Sequence, residues 1–319
     1  MRSAPAAPLA ASPAVAPAPD LKIILLLVVM CASWGLQQVA IKIALVDIPP
    51  LTQLAVRCAG GMVLVYAWAR VRGTPIFRRD RSLLPGILSG SFFGIEFVLL
   101  YLALEHTEAS RVTLFLYTAP FFVALGAIAL LPGERLKALQ WVGIGFSFAG
   151  VAVALGAPPP SASWSSIVAD AVCVLAGALW AGQTLTVRKS VLRTVPFEKV
   201  LLYQLFMCFL YAAVFAVVRG EEPHWPVSGS AAFWLAYQIV WVVAVTYLVW
   251  FSLLSRYAAG PLQAATAMTP VFGVAAGILV LGEPLTPGFA VAALLVFIGL
   301  VLVNYRRRAP VAKAARRPT

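Results

Sequence analysis

Ten apolar runs, each about as long as a bilayer is thick, follow one another along the chain between short polar or proline–glycine breaks. They lie near 21–46, 51–70, 82–104, 107–131, 136–155, 165–187, 197–218, 230–255, 259–281 and 286–305. At 1.5 Å per residue each covers about 30 Å of hydrocarbon, so each predicts a membrane-spanning helix. A soluble bundle would keep a polar face on every helix, and these runs keep none. The breaks carry turn chemistry: Ile48-Pro49-Pro50, Arg72-Gly73-Thr74-Pro75, Pro132-Gly133, Pro158-Pro159-Pro160 and Glu283-Pro284.

The runs also repeat. Tyr117-Thr118-Ala119-Pro120 is followed by Gly133-Glu134 and Gly150; Met268-Thr269-Pro270 is followed by Gly282-Glu283 and Gly299. Proline and glutamate are 14 apart in one copy and 13 in the other, and glutamate and glycine are 16 apart in both. At an offset of 146, Trp34 aligns with Trp180, Lys42 with Arg188 and Pro50 with Pro196. At an offset of 150, Glu96 aligns with Thr246, Ala109 with Ala259 and Pro120 with Pro270. Each copy holds five helices, and an odd number makes the second copy cross the membrane in the opposite sense. The expected fold is an all-α integral membrane protein with ten transmembrane helices as two inverted five-helix repeats. Residues 1–20 read as a disordered Ala/Pro/Ser tail, 21–155 and 165–305 as the repeats, and 306–319 as a basic cytoplasmic tail.

Composition agrees with a lipid-embedded chain: 61% of residues are hydrophobic and 11% charged, with a mean hydropathy of +0.91. The net charge of +12 would suit a nucleic-acid partner on a soluble domain, but the charges here alternate with the spans. Twenty lysines and arginines fall on the side holding both termini, against Arg111 and Arg219 on the other, while Lys42 and Arg57 lie inside helices. That asymmetry excludes nucleic acid as the reason for the charge and predicts a multi-pass protein of the cytoplasmic (inner) membrane with both termini cytoplasmic. The four cysteines fall within apolar helices and predict neither disulfides nor a metal site, and His106 and His224 are isolated in outer loops. No metal, cofactor or catalytic residue is implied, so an enzyme is not expected.

Candidate chemistry lies with polar side chains that lipid should forbid. A charge at mid-bilayer costs about 2.5–3.5 kcal/mol, so it faces a partner or a wet cavity. Lys42 lies about 6 Å, Arg57 about 9 Å and Glu96 about 12 Å from the outer end of its helix. Similar depth on consecutive helices allows an Arg57–Glu96 ion pair. Three roles stay open: a structural clamp, a site where Glu96 meets a substrate ammonium and Arg57 or Lys42 a carboxylate, or a proton carrier at Glu96. Trp34, Gln38 and Lys42 share one face of the first helix, with Gln37 at its edge. Trp180 and Thr184, beside Gln183, mark the sixth helix, and Gln238 and Trp241 the eighth. With Tyr117 and Tyr203 they form a candidate wall for a solute bearing an apolar or aromatic group. Pro120 and Pro270 withdraw backbone amides from Leu116 and Thr266, predicting a bend at each that faces the translocation path. Gly86, Gly90 and Gly94 form a small-residue seam for helix packing.

An ordered set of these residues resembles the EamA-type drug/metabolite transporter superfamily over roughly 21–305. The matching pieces are Ser33-Trp34-Gly35 with Lys42, then Arg57, then Glu96 followed by Tyr101-Leu102-Ala103-Leu104, then Tyr117-Thr118-Ala119-Pro120. Leu131-Pro132-Gly133-Glu134-Arg135 and Leu281-Gly282-Glu283-Pro284-Leu285 complete it. The first loop inserts a proline where the family has Leu-Gly-Glu. The resemblance implies export of small metabolites, often amino acids or related zwitterions, by alternating access. No GxxxxGK[ST] phosphate loop occurs, so neither ATP nor an ATP-binding subunit is expected as the direct energy source. The expected partners are a small-molecule substrate and the bilayer, in a monomer or weak homodimer. Two other functions remain open: a broad-specificity drug or cation exporter, and a membrane scaffold or intramembrane enzyme.

Overall fold

The computed structural model describes residues 20–131, 135–156, 163–224, 226–257, 262 and 265–304. Both tails and the loop bearing Glu134 therefore lie outside the described residues, as does most of the expected start of the ninth helix. Among the described residues there are ten apolar helices: α1 (Leu21–Ala44), α2 (Pro50–Val71), α3 (Leu83–Ala103), α4 (Ala109–Leu130), α5 (Ala138–Gly156), α6 (Trp164–Lys189), α7 (Phe197–Arg219), α8 (Gly229–Trp250), α9 (Thr266–Leu281) and α10 (Pro287–Asn304). Nine are long enough to span a bilayer, the described part of α9 is shorter, and no strand occurs among the described residues.

Local chemistry sets the ends. Asp20 accepts the amide of Ile23 at 3.0 Å, and Ser228 accepts that of Ala231 at 3.2 Å, capping α1 and α8. Pro50 starts α2 where its missing amide costs nothing. Gly220 and Gly282 stop α7 and α9 with φ of 65° and 67°, which a side chain would resist. Two helices are irregular inside. The α-helix of α4 breaks at Tyr117–Thr118 just before Pro120, and α9 opens with a tight 3₁₀ turn at Thr266–Met268 just before Pro270. In α8, Tyr237–Thr246 adopts the wide π geometry, whose long stretches are rare and concentrate at functional sites.

Packing crosses the repeat boundary throughout. Helices α2 and α7, α4 and α9, and α5 and α10 pack against their own counterparts. Helix α1 packs on α8 and α9, and its counterpart α6 packs on α3 and α4. Two equivalent four-helix bundles result, one of α1, α2, α8 and α9 and the other of α3, α4, α6 and α7. Small residues allow the approach. A Cβ at Gly35 would lie 2.5 Å from the Gly273 nitrogen beside the α9 break, and one at Gly177 would lie 2.6 Å from Thr118 Oγ1 at the α4 break. The Gly90–Gly94 seam of α3 rides on Tyr203, Met207 and Cys208 of α7, and Gly150 packs on Ala292 of α10. All four cysteines are buried and reduced.

Candidate functional site

The two bundles divide the candidate side chains by charge. Trp34, Gln37, Gln38, Lys42, Arg57, Gln238 and Trp241 belong to the α1–α2–α8–α9 bundle, and Glu96, Tyr117, Trp180, Gln183 and Tyr203 to the other. Cationic candidates thus stand on one body and the carboxylate on its neighbour.

Arg57 is 0% exposed, and none of its three guanidinium nitrogens has a hydrogen-bond partner. It lies over the Phe97 ring of α3 at 4.6 Å, a cation–π contact that offsets only part of a buried charge. Tyr101 and Tyr247 are the phenols electrostatically coupled to it. Glu96, one residue before Phe97, is also buried, and its Oε2 accepts from Gln183 Nε2 at 3.2 Å. Gln204 Nε2 donates to Gln183 Oε1 at 2.7 Å, extending the chain to α7. The Arg57–Glu96 ion pair that equal depth allows is therefore absent. Depth along a helix leaves the azimuth open, and each side chain turns toward a different neighbour.

A second polar chain joins the bundles at α8. Tyr101 Oη donates to Gln238 Oε1 at 2.7 Å, Gln238 Nε2 to Gln53 Oε1 at 3.3 Å, and Gln53 Nε2 to the Ile41 carbonyl at 3.3 Å. Trp34 Nε1 donates to Thr246 Oγ1 and Trp241 Nε1 to Ser33 Oγ, each at 2.8 Å. The π turns of α8 thus present Gln238, Trp241 and Thr246 to four side chains: Tyr101, Gln53, Ser33 and Trp34. Buried Gln38 keeps an unpartnered Oε1, and Gln37 is buried beside it. Tyr117 and Trp180 meet edge to face at 5.4 Å, beside the α4 break.

Two candidates lie elsewhere. Tyr203 packs its ring on Gly86 and its hydroxyl 3.2 Å from Ser82 Oγ, at the arginine-rich end of α3. Lys42 donates to the Thr107 carbonyl at the opposite face, where side chains knit the bundles together. There Glu283 accepts the Ala109 amide at 2.6 Å and the Ser110 amide at 2.9 Å, capping α4 from the other bundle. Thr52, in the same way, donates its amide to Glu221 at 2.8 Å. Burial first, then the Glu283 carboxylate, pushes Glu108 above the usual carboxylate range. On the arginine-rich face a cleft of about 440 Å³ opens between Arg72–Pro75 of one bundle and Pro196–Glu198 of the other. Side chains thus link the bundles on one face, and on the other the cleft between them is crossed by Thr74 Oγ1 donating to Glu198 Oε1 at 3.5 Å.

Sequence reasoning missed Gln53, Tyr101 and Gln204 as network members, and it counted Arg111 only as a charge on the outer side. Arg111 is buried in α4, with Nε and Nη2 donating to Asp170 Oδ2 at 2.8 and 2.6 Å and Nη2 to the Ala154 carbonyl at 2.8 Å. Asp170 also takes Thr107 Oγ1 at 2.7 Å. The signal was Asp170 itself, an acid within an apolar helix that needs a cation. Among the described residues no cluster of His, Cys, Asp and Glu could hold a metal.

The comparisons with known proteins fall in line with this architecture. The model of the EamA-like transporter family matches residues 21–156 and again 167–305. The uncharacterized transporter YvbV of Bacillus subtilis is 27% identical over 93% of this chain and 96% of its own. The uncharacterized transporter YoaV of the same organism is 22% identical over 80% of this chain and 87% of its own. An uncharacterized transporter of Archaeoglobus fulgidus is 24% identical over 78% and 85%. A solved crystal structure superposes with a TM-score of 0.63 at 20% identity, covering 89% of this chain and 96% of that one, a likeness of fold.

Proposed function

The chain belongs to the EamA-like transporter family, and from that premise we propose a secondary carrier that exports small zwitterions, amino acids with aromatic or large apolar side chains foremost. One observation carries the reading. A buried, unpartnered guanidinium and a buried carboxylate stand on opposite bundles without neutralising each other. A zwitterion supplies both missing charges: its carboxylate meets Arg57 and its ammonium meets Glu96, so binding draws the bundles together. Trp34, Gln37, Gln38, Gln238 and Trp241 wall the site on one side and Tyr117, Trp180 and Gln183 on the other. Lys42 serves the outer latch and Tyr203 the α3–α7 seam. The breaks beside Pro120 and Pro270 are bending points along the path.

In this reading the arginine-rich face is cytoplasmic, the protein lies in the inner membrane with both termini inside, and residues 21–155 and 165–305 are the repeats. It works as a monomer or weak homodimer without cofactor, ATP-binding subunit or catalytic role. The cleft on the arginine-rich face is then where cytoplasmic solute enters.

Counterflow in proteoliposomes tests it. Vesicles preloaded with phenylalanine, tryptophan or leucine are expected to accumulate the labelled amino acid, and lipophilic cations are expected to compete poorly. Exchange of lipophilic cations with none of zwitterions overturns the proposal in favour of a cation exporter.

A further inference from the structure

Apart from the transport site, the end of α2 carries a cleft of about 280 Å³ whose lining includes two arginines and no acid. Arg70 comes from the last turn of α2, and Arg78 from the loop that follows. That loop is held in place. Thr74 donates its amide to the Ala69 carbonyl at 2.9 Å, and Lys199 Nζ donates to the Arg78 carbonyl at 2.7 Å. Lys199 also grips both oxygens of Asp80, at 3.0 and 2.9 Å, so this nearby carboxylate is already neutralised. The cleft therefore carries two arginines on a fixed backbone, with no acid in its lining. Its apolar wall is Tyr66 and Phe77, with ring centroids 6.2 Å apart. Phe77 is 82% exposed, and an exposed aromatic just past a helix end suits the boundary between water and lipid.

Basic side chains beside an exposed aromatic wall at a membrane boundary match an anionic phospholipid: phosphate to the guanidiniums, glycerol and acyl stem along the rings. We propose that Arg70, Arg78, Tyr66 and Phe77 form a binding site for the headgroup of an anionic phospholipid. Free phosphate would use only the arginines and leave the aromatic wall idle. The site is independent of the transported solute. Its occupant bridges the end of α2 to the loop leading into α3.

The test is titration of the detergent-purified full chain with short-chain phosphatidylglycerol, phosphatidylcholine and inorganic phosphate, read by thermal shift. Phosphatidylglycerol is expected to stabilise the protein well beyond the other two. Arg70→Gln with Arg78→Gln is expected to weaken its binding roughly thirtyfold, about fivefold per arginine, while Arg79→Gln with Arg193→Gln, an equal loss of charge, changes it by less than about twofold. Equal weakening by both double variants overturns the site in favour of bulk attraction. Equal stabilisation by phosphatidylcholine, or by inorganic phosphate, overturns it as well.

Discussion

Arg57 and Glu96 sit on neighbouring helices of opposite bundles, yet Glu96 takes its hydrogen bond from Gln183 at 3.2 Å while Arg57 lies over Phe97 at 4.6 Å. Two buried opposite charges left unjoined are costly. Breaking up a true pair is costlier still, so the two arrangements predict opposite effects of substitution.

Arg57→Gln removes a buried charge that is paired with no acid among the described residues and rests on the Phe97 ring. Amino-acid counterflow is expected to fall more than about tenfold, in keeping with a lost charge-assisted bond, while the melting temperature holds or rises. A structural clamp would instead show a marked drop in melting temperature, measured on the same purified samples.

Glu96→Gln keeps an acceptor for Gln183 and loses the negative charge. The variant is expected to lose its preference for an amino acid over the deaminated acid of the same side chain, read as the ratio of their competition constants. Were Glu96 a proton carrier, the variant's residual transport would lose its pH dependence; an unchanged pH profile sinks that role.

Glu283→Gln weakens the cap that one bundle places on α4. The lost cap is about 1 kcal/mol, enough to move a balanced equilibrium about fivefold toward opening of that face. Labelling of a Ser110→Cys reporter by a membrane-impermeant maleimide should speed up accordingly, since the native cysteines are all buried.

Arg111→Gln leaves Asp170 buried without its cation, with only Thr107 Oγ1 still donating to it. A cost of about 3–5 kcal/mol is expected for either single substitution of this pair, seen as poor monodispersity after extraction. Arg111→Gln with Asp170→Asn should recover most of it.

The Ser82 hydroxyl first, and the Lys199 ammonium next, hold Asp80 down from 3.8 to about 2. A carboxyl lowered on folding stabilises the protein above its unfolded value, and that contribution is lost as pH falls from about 4 to about 2. The melting-temperature gap between wild type and Asp80→Asn should therefore be flat near neutrality and close over that interval.

Much of this was legible in the chain. Period-free apolar runs give the ten helices, and the offset pairs, such as Pro120 with Pro270, give the inverted repeat. Arg57, Glu96 and Gln238 stand out because lipid penalises them wherever they point. Partners are another matter. Spacing fixes how deep a side chain lies but not which helix faces it, and here most facing helices come from the other repeat. Hence Arg111, counted only among the charges of the outer side, was not matched with Asp170, the buried acid of α6 that it binds. The π stretch in α8 was equally hidden, because nothing in the β-branched run Tyr237–Thr246 distinguishes a wide helical turn from an ordinary one.

Because each four-helix body takes two helices from either repeat, the order of the chain and the order of moving parts do not coincide. A rigid-body swing would carry α1 with α9, from opposite ends of the polypeptide, and separate α2 from α3, its neighbour in sequence. The connecting loops, not the midpoint between the copies, would then act as the hinges. The α2–α3 loop with Arg78 and the connection from Arg219 of α7 to Gly229 of α8, which each join one body to the other, would flex at every cycle. Insertions tolerated between the repeats would stall the carrier if moved to either loop.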